Sequence, residues 1–130
     1  MNERLGLLTG EARAVKTAMT TELMVASPHT TLKEATALMK DLGVPVIVVY
    51  DGHRVVGLLS DRDATLNHCV QEAAENTTIG KLMRTNVPTC LGDDRLGEAF
   101  SLMRASDADW LPVLDRGDRL VGVLSRYAAF

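Results

Sequence analysis

"VPVIVVYDGHRVVGLLS" (44–60) is followed further along the chain by a second stretch of the same design, "WLPVLDRGDRLVGVLS" (110–125). Each stretch places two apolar runs, rich in valine and leucine, on either side of a short turn that contains Gly and Asp. Branched apolar residues favour buried strands, and Gly and Asp favour tight turns. Each stretch therefore predicts a β-hairpin.

The two hairpins belong to a repeat that covers most of the chain. A shift of 64 residues lays 19–51 on 83–115, and one extra residue in the second turn raises the shift to 65. A match in this order indicates two copies of one structural unit. We assign 15–76 to the first copy, 77–130 to the second and 1–14 to an N-terminal arm. Identical residues at matched positions include Met19 and Met83, Leu38 and Leu102, Gly57 and Gly122, and Ser60 and Ser125.

Ahead of each hairpin, apolar residues follow the spacing of one face of an α-helix. In the first copy, Thr31 and Glu34 form the pattern of a capping box, which predicts the start of the helix. In the second copy, Asp94 is predicted to cap the helix. A short extended piece precedes each helix, at 23–27 and at 87–91.

A second helix is predicted after the first hairpin, over "DRDATLNHCVQEA" (61–73). Ser60 stands at its N-cap, and Asp61 and Asp63 lie in its first turn, near the positive end of the helix dipole. The second copy ends soon after its hairpin, so little or no final helix is expected there.

Composition favours a globular chain of 130 residues, with 46% hydrophobic and 24% charged residues. The net charge of −3 disfavours nucleic-acid binding, which usually needs a basic excess. No targeting segment or membrane-length apolar run is evident, so we expect a cytoplasmic protein. The two cysteines are expected to be reduced thiols, and the three histidines lack metal-ligand spacing.

The ordered pair of units resembles a cystathionine-β-synthase (CBS) domain pair, also called a Bateman module. The resemblance rests on the "Leu-x-Glu-Ala" helices, the hairpins and the "G-h-h-S" strand ends, where h is apolar, over about 15–130. It implies a mixed α+β fold of two tandem CBS units, each a small sheet with two helices, packed as a pseudo-twofold pair. It also implies a regulatory module that binds AMP, ADP, ATP or S-adenosylmethionine between the units, requires no cofactor, and forms a homodimer.

The family's ligand motif, "G-h-h-S/T-x-x-D", is complete only in the first copy, at Gly57, Ser60 and Asp63. By resemblance, Ser60 would bind a phosphate and Asp63 the ribose hydroxyls, with Arg62 available to pair with the phosphate. A carboxylate is able to accept hydrogen bonds from both hydroxyls of a diol, and a helix N-terminus favours a phosphate. The expected adenine surface consists of Met24, Val25, Val46 and Val48.

The second copy departs from this motif, because Ala128 stands where the aspartate is expected. The resemblance therefore implies one competent adenosyl cleft per chain, or two of unequal affinity. The candidates for the second cleft are Ser125, Arg126, Tyr127, Cys90 and Pro112.

Other interpretations remain open. Ser60 and Asp63 are also residues that simply cap helices. The chain would then be a ligand-free dimerisation or interaction module with vestigial clefts, acting on an unknown effector protein. No catalytic constellation, metal cluster or membrane contact is evident in the sequence, so we expect neither an enzyme nor a metal site.

Overall fold

The computed structural model describes residues 12–64 and 76–128. They form two compact units. The central unit lies within Glu22–Asn86, and the terminal unit joins residues 12–21 to 87–128. The repeat and the units therefore divide the chain at different places: the residues that lead into each copy belong to the unit built mainly from the other copy.

The sheet of the central unit has three strands. They are β1 (Met24–Ala26), β2 (Val46–Tyr50) and β3 (Val55–Ser60), in the order β1-β2-β3. The β2–β3 hairpin is antiparallel as predicted, and β1 pairs with β2 in parallel through a connection that contains α1 (Leu32–Leu42). The extended piece before the helix is thus a third strand of the sheet.

The terminal unit repeats this arrangement. Its strands are β4 (Cys90–Leu91), β5 (Trp110–Leu114) and β6 (Leu120–Ser125), in the order β4-β5-β6, with α2 (Leu96–Ser106) between β4 and β5. The predicted hairpin strands 110–114 and 120–125 agree with β5 and β6, and the first hairpin begins at Val46. The mixed α+β fold with two small sheets is confirmed.

Each unit has its own apolar core between its helix and one face of its sheet. Successive turns of each helix place a buried side chain in the core. These side chains are Leu32, Ala35 and Met39 in α1, and Leu96, Ala99 and Met103 in α2. A short 3-10 helix closes each core with one fully buried residue, Ile79 in the central unit and Val15 in the terminal unit.

The helix starts differ between the units. Thr31 Oγ1 accepts a hydrogen bond from the Glu34 amide, and Glu34 accepts one from the Thr31 amide, so the predicted capping box is confirmed. The prediction that Asp94 caps α2 is wrong. The N-cap is Arg95, which makes no side-chain cap, and the Asp94 carboxylate instead accepts the amide of Leu91 in the preceding turn at 2.9 Å.

Each 3-10 helix and the residues that follow it lead to the last strand of the same sheet, and we call these stretches the crossing segments, 79–84 and 15–20. Arg84 exchanges two backbone hydrogen bonds with Leu58, of 2.9 and 3.1 Å. Thr20 exchanges two with Val123, of 2.9 and 3.0 Å. Both crossing segments therefore extend the backbone pairing of their sheet by one bridge.

Two glycines of the repeat make these crossings possible. A Cβ at Gly57 would lie 2.5 Å from the Met83 sulfur and 2.7 Å from the Arg84 carbonyl oxygen. At Gly122 the corresponding distances, to Met19 and Thr20, would be 2.7 and 2.8 Å. The glycine of the "G-h-h-S" motif is thus required by backbone packing within each unit.

Two predicted segments fall largely outside the described residues. Of the helix predicted over 61–73, residues 61–64 are helical and the rest are outside. Residues 1–11 of the N-terminal arm are also outside, as are residues 129–130.

Substitution at Gly57 tests the crossing. Gly57→Ala should destabilise the protein by about 1–3 kcal/mol, because the added methyl group overlaps a backbone carbonyl that cannot move without losing its bridge to Leu58. Urea unfolding measures this change. Gly92→Ala is the control, since its Cβ would meet its nearest atom at 3.5 Å and should have little effect. Equal stabilities of the two variants would contradict the prediction.

The two helix starts provide a second, reciprocal test. Thr31→Ala should lower the free energy of unfolding by about 1 kcal/mol by removing the cap of α1. Arg95→Thr should raise it by a similar amount, because Glu98 already stands at N3 of α2 and a threonine at the N-cap would complete a capping box. Urea unfolding that moved both variants in the same direction would contradict this reading.

Candidate functional site

Ser60 is the last residue of β3, and residues 61–64 begin a helix directly after it. The Ser60 hydroxyl oxygen accepts a hydrogen bond from the Asp63 amide at 3.0 Å. The Asp61 amide donates to the carbonyl of Pro45 at 2.8 Å, which fixes the start of the turn to the beginning of β2. The predicted cap by Ser60 is therefore confirmed, and its hydroxyl hydrogen is still available to a ligand.

The Asp63 carboxylate forms an ion pair with Arg84 of the crossing segment. Arg84 Nε lies 3.1 Å from Oδ2 and Arg84 Nη2 lies 3.4 Å from Oδ1, so the guanidinium faces both carboxylate oxygens. The Asp63 side chain is 17% exposed and that of Arg84 is 57% exposed. The carboxylate is thus largely covered, whereas the guanidinium that pairs with it is more exposed than covered.

The register of the sheet brings several of the predicted lining residues onto one face. Val46 pairs with Ser60, and Val48 pairs with Val25, so these four side chains project from the same side of the sheet. Val46 and Val48 are fully buried, whereas Val25 is 48% exposed. Of these three valines, Val25 is therefore the one that solvent reaches.

Two other predicted residues do not join this group. Met24 points to the opposite face and packs in the core of the central unit, 8% exposed. Arg62 is exposed on the first turn after Ser60. Both residues remain part of the predicted site, but the side chain of Met24 contributes to the core.

The terminal unit carries a different set of side chains at the matching place. Ser125 Oγ accepts the amide of Tyr127 at 3.1 Å, and Arg126 pairs with Asp109 at 3.1 Å. The Arg126 guanidinium lies 5.6 Å from the centre of the Tyr127 ring, which is largely exposed. Ala128 packs against the core of the unit. This turn therefore offers a cation and an aromatic ring, and no carboxylate at the position of Asp63.

Cys90 and Pro112, the other candidates of the second copy, are both buried. Cys90 is a free thiol in the core of the terminal unit, next to Val113 across the strand pair. Burial, with a smaller effect from the charge of Asp94, raises the pKa of Cys90 to about 12. Pro112 lies on β5 opposite Val123 of β6.

Sequence reasoning missed Arg84. A signal was present, because the repeat aligns Arg84 with Thr20, just as it aligns Asp63 with Ala128. The two members of the ion pair are thus replaced together in the second copy. Reading these two differences jointly would have suggested that the side chains meet.

A cavity of about 550 Å³ opens elsewhere in the central unit, between the end of α1 and the helical turn 61–64. Its lining includes Met39, Lys40, Pro45 and Asp61, and it does not include Ser60 or Asp63. Within residues 12–64 and 76–128, no cluster of three or more metal-ligating side chains occurs, and no helix is long and apolar enough to cross a membrane.

Comparison with known proteins identifies the class. The family model described as "CBS domain" matches residues 13–66 and 79–129. The CBS domain-containing protein YhcV of Bacillus subtilis (strain 168) is 32% identical over 112 residues, which cover 86% of this chain and 79% of that protein. The chain belongs to the CBS domain family and carries two CBS domains in tandem.

The same module occurs within longer enzymes. The homoserine O-acetyltransferase of Methanococcus vannielii is 25% identical over 114 residues, which cover 87% of this chain but 23% of the enzyme. The similarity therefore concerns a minor part of that protein.

Solved structures share the fold. The CBS domain pair of protein MJ0100 was crystallised with 5-methylthioadenosine and S-adenosyl-L-methionine, and it has a TM-score of 0.75 at 22% identity. The superposition covers 88% of this chain and 90% of the MJ0100 chain. CBSX2 in complex with AMP has a TM-score of 0.69 at 26% identity, with coverage of 87% and 90%. The cytosolic domain of the Mg²⁺ channel MgtE in complex with ATP has a TM-score of 0.73 at 26% identity, with coverage of 89% and 47%.

The raised pKa of Cys90 predicts that its thiol reacts slowly with alkylating reagents. In the folded protein at about pH 8, iodoacetamide should leave Cys90 largely unmodified, because only the thiolate reacts and the side chain is buried. In concentrated guanidinium chloride the same residue should react fully. Mass spectrometry of the peptide that contains Cys90 distinguishes it from Cys69, and equal labelling with and without denaturant would contradict the prediction.

Proposed function

We propose that this CBS domain pair is a regulatory module that binds an adenosine-containing ligand, AMP, ADP, ATP or S-adenosylmethionine, and passes its occupancy to a partner protein. The observation that carries the proposal is the grouping of Ser60 and Asp63 on one helical turn, beside the face that bears Val25, Val46 and Val48. Asp63 would accept hydrogen bonds from the ribose hydroxyls, and Ser60 and Arg62 would bind the phosphate.

The chemistry of these groups supports this assignment. A carboxylate has two acceptor oxygens, which match a pair of adjacent hydroxyls. The Ser60 hydroxyl already accepts a backbone amide, so it would donate its hydrogen to a phosphate oxygen. Arg62 is exposed on the same turn and adds a charge-assisted contact. The apolar face would receive the adenine ring through Val25, with Met24, Val46 and Val48 supporting the strands behind it.

Two solved relatives support the ligand class. CBSX2 was crystallised with AMP and the MgtE cytosolic domain with ATP, and each is 26% identical to this chain. Both ligands contain the ribose and phosphate that Asp63, Ser60 and Arg62 are proposed to bind.

The second copy is proposed to bind such a ligand weakly or not at all. Ala128 cannot accept hydrogen bonds from a ribose through its side chain. Arg126 and Tyr127 would still offer a cation and a ring, with Ser125, Cys90 and Pro112 behind them. We therefore propose one competent site per chain. We also propose that the protein is a homodimer that acts on an effector protein and does not itself catalyse a reaction.

A ligand-free dimerisation or interaction module is the second candidate function. The ion pair between Asp63 and Arg84 favours it, because the carboxylate proposed to hold the ribose is already engaged. Ala128 favours it as well. Under this alternative Ser60 and Asp63 serve the helix cap and the ion pair alone.

Substitution of Asp63 tests the proposal directly. Isothermal calorimetry with AMP, ADP, ATP and S-adenosylmethionine should show binding of at least one ligand to the natural protein. Asp63→Asn should weaken that binding about 10–100-fold, since a charged hydrogen-bond acceptor contributes about 1.5–3 kcal/mol. Asp61→Asn, the control on the same turn, should leave the affinity nearly unchanged.

A gain-of-function variant adds a second readout. Ala128→Asp should increase the number of sites per chain or the affinity of a weak one, because it supplies the missing acceptor. No heat and no change in melting temperature with any of the four ligands would overturn the proposed function and favour the ligand-free module.

A further inference from the structure

The geometry points to Arg84 as a selectivity residue: it holds the Asp63 carboxylate and makes the site prefer phosphorylated adenosine ligands over uncharged ones. The inference rests on the proposed function of Asp63. It concerns the class of ligand, and Arg84 is not among the residues that the sequence motif contains.

The first argument is that Arg84 and a ribose need the same atoms. The guanidinium faces both oxygens of Asp63, with Nε at 3.1 Å from Oδ2 and Nη2 at 3.4 Å from Oδ1. A ribose diol bound by both hydroxyls would approach the same two oxygens. A ligand must therefore displace Arg84, at least in part, before the carboxylate can hold its sugar.

The second argument is that the fold does not require the ion pair. The terminal unit builds the same crossing with Thr20 in place of Arg84 and Ala128 in place of Asp63. The backbone hydrogen bonds of Thr20 to Val123 match those of Arg84 to Leu58 within about 0.1 Å. An ion pair whose arginine is 57% exposed also contributes little to stability. The ion pair is thus a feature of the central unit's turn and not a requirement of the crossing.

The third argument is the charge that displacement would leave. When a neutral nucleoside displaces Arg84, the ionic contact between Arg84 and Asp63 is lost, and Asp63 receives only uncharged hydroxyl groups in exchange. A ligand with a phosphate would place a new anion near Ser60, on the same turn as Asp63, and the exposed guanidinium would pair with that anion. The lost ionic contact is therefore replaced by a new one for AMP, ADP or ATP, and by none from the ligand for adenosine.

The test compares AMP with adenosine on the natural protein and on Arg84→Thr, which installs the residue of the matching position in the first copy. The natural protein should bind AMP at least about 10-fold more tightly than adenosine. In Arg84→Thr, adenosine should bind more tightly than before and AMP no more tightly, so the ratio of the two dissociation constants should fall about 10-fold. Arg84→Lys keeps the charge without the planar fork and should retain an intermediate ratio.

Controls separate selectivity from folding and from net charge. Arg54→Thr removes one exposed arginine from the β2–β3 turn of the same unit and should leave the ratio unchanged. The melting temperature of Arg84→Thr without ligand should lie within about 2 °C of the natural protein, because an exposed ion pair adds little stability.

The outcomes distinguish the two proposals. AMP binding that depends on Asp63 with an unchanged ratio in Arg84→Thr would overturn the inference and leave the proposed function in place. Binding by Arg84→Thr but not by the natural protein would overturn both the proposed function and the expected preference of the natural protein for AMP. An absence of binding by the natural protein, Arg84→Thr and Arg84→Lys would overturn both.

Discussion

At Gly57 the backbone of residues 79–84 passes so close to β3 that a single added carbon would collide with the Met83 sulfur and the Arg84 carbonyl. This approach allows Arg84 to exchange both of its backbone hydrogen bonds with Leu58. Because β3 continues into Ser60 and the turn that holds Asp63, the same contact also fixes the distance between Arg84 and the carboxylate. A backbone constraint thus determines which side chains meet at the proposed site.

Asp63 occupies a position where three interactions converge. Its amide satisfies the Ser60 cap, its carboxylate pairs with Arg84, and the proposed ligand would use the same carboxylate. The first of these uses only the backbone of Asp63, so it persists whatever the Asp63 side chain binds. The competition is therefore confined to the carboxylate oxygens, and the helical turn itself need not rearrange when one partner replaces another. The repeat makes this separation visible, because the Ser125 hydroxyl still accepts a backbone amide, that of Tyr127, although Ala128 has no carboxylate.

Much of the fold could be predicted from the sequence, because hairpins, the α1 cap and the buried faces of both helices depend on residues close together in the chain. The α2 cap could not be predicted in this way. The Asp94 carboxylate accepts the Leu91 amide instead of capping the helix, and the geometry of the turn determines which of these contacts forms. For the candidate site, the motif placed Ser60 and Asp63 on one turn, where the Ser60 hydroxyl accepts the Asp63 amide. It did not locate Arg84, which comes from 21 residues further along the chain. Met24 and Val25 were both predicted to line the adenine surface, but adjacent residues of a strand point to opposite faces of the sheet. The pairing register decides which of the two residues faces the proposed site.

Each compact unit completes its core with a fully buried residue from outside its own main copy of the repeat, Ile79 in the central unit and Val15 in the terminal unit. In a polypeptide with a single copy, the crossing segment would therefore lack the strand on which it packs, because that strand belongs to the other copy. Two such polypeptides would complete each other's cores by exchanging their crossing segments, as in domain swapping. Fusing the two copies into one chain makes that trade intramolecular, which removes its dependence on concentration.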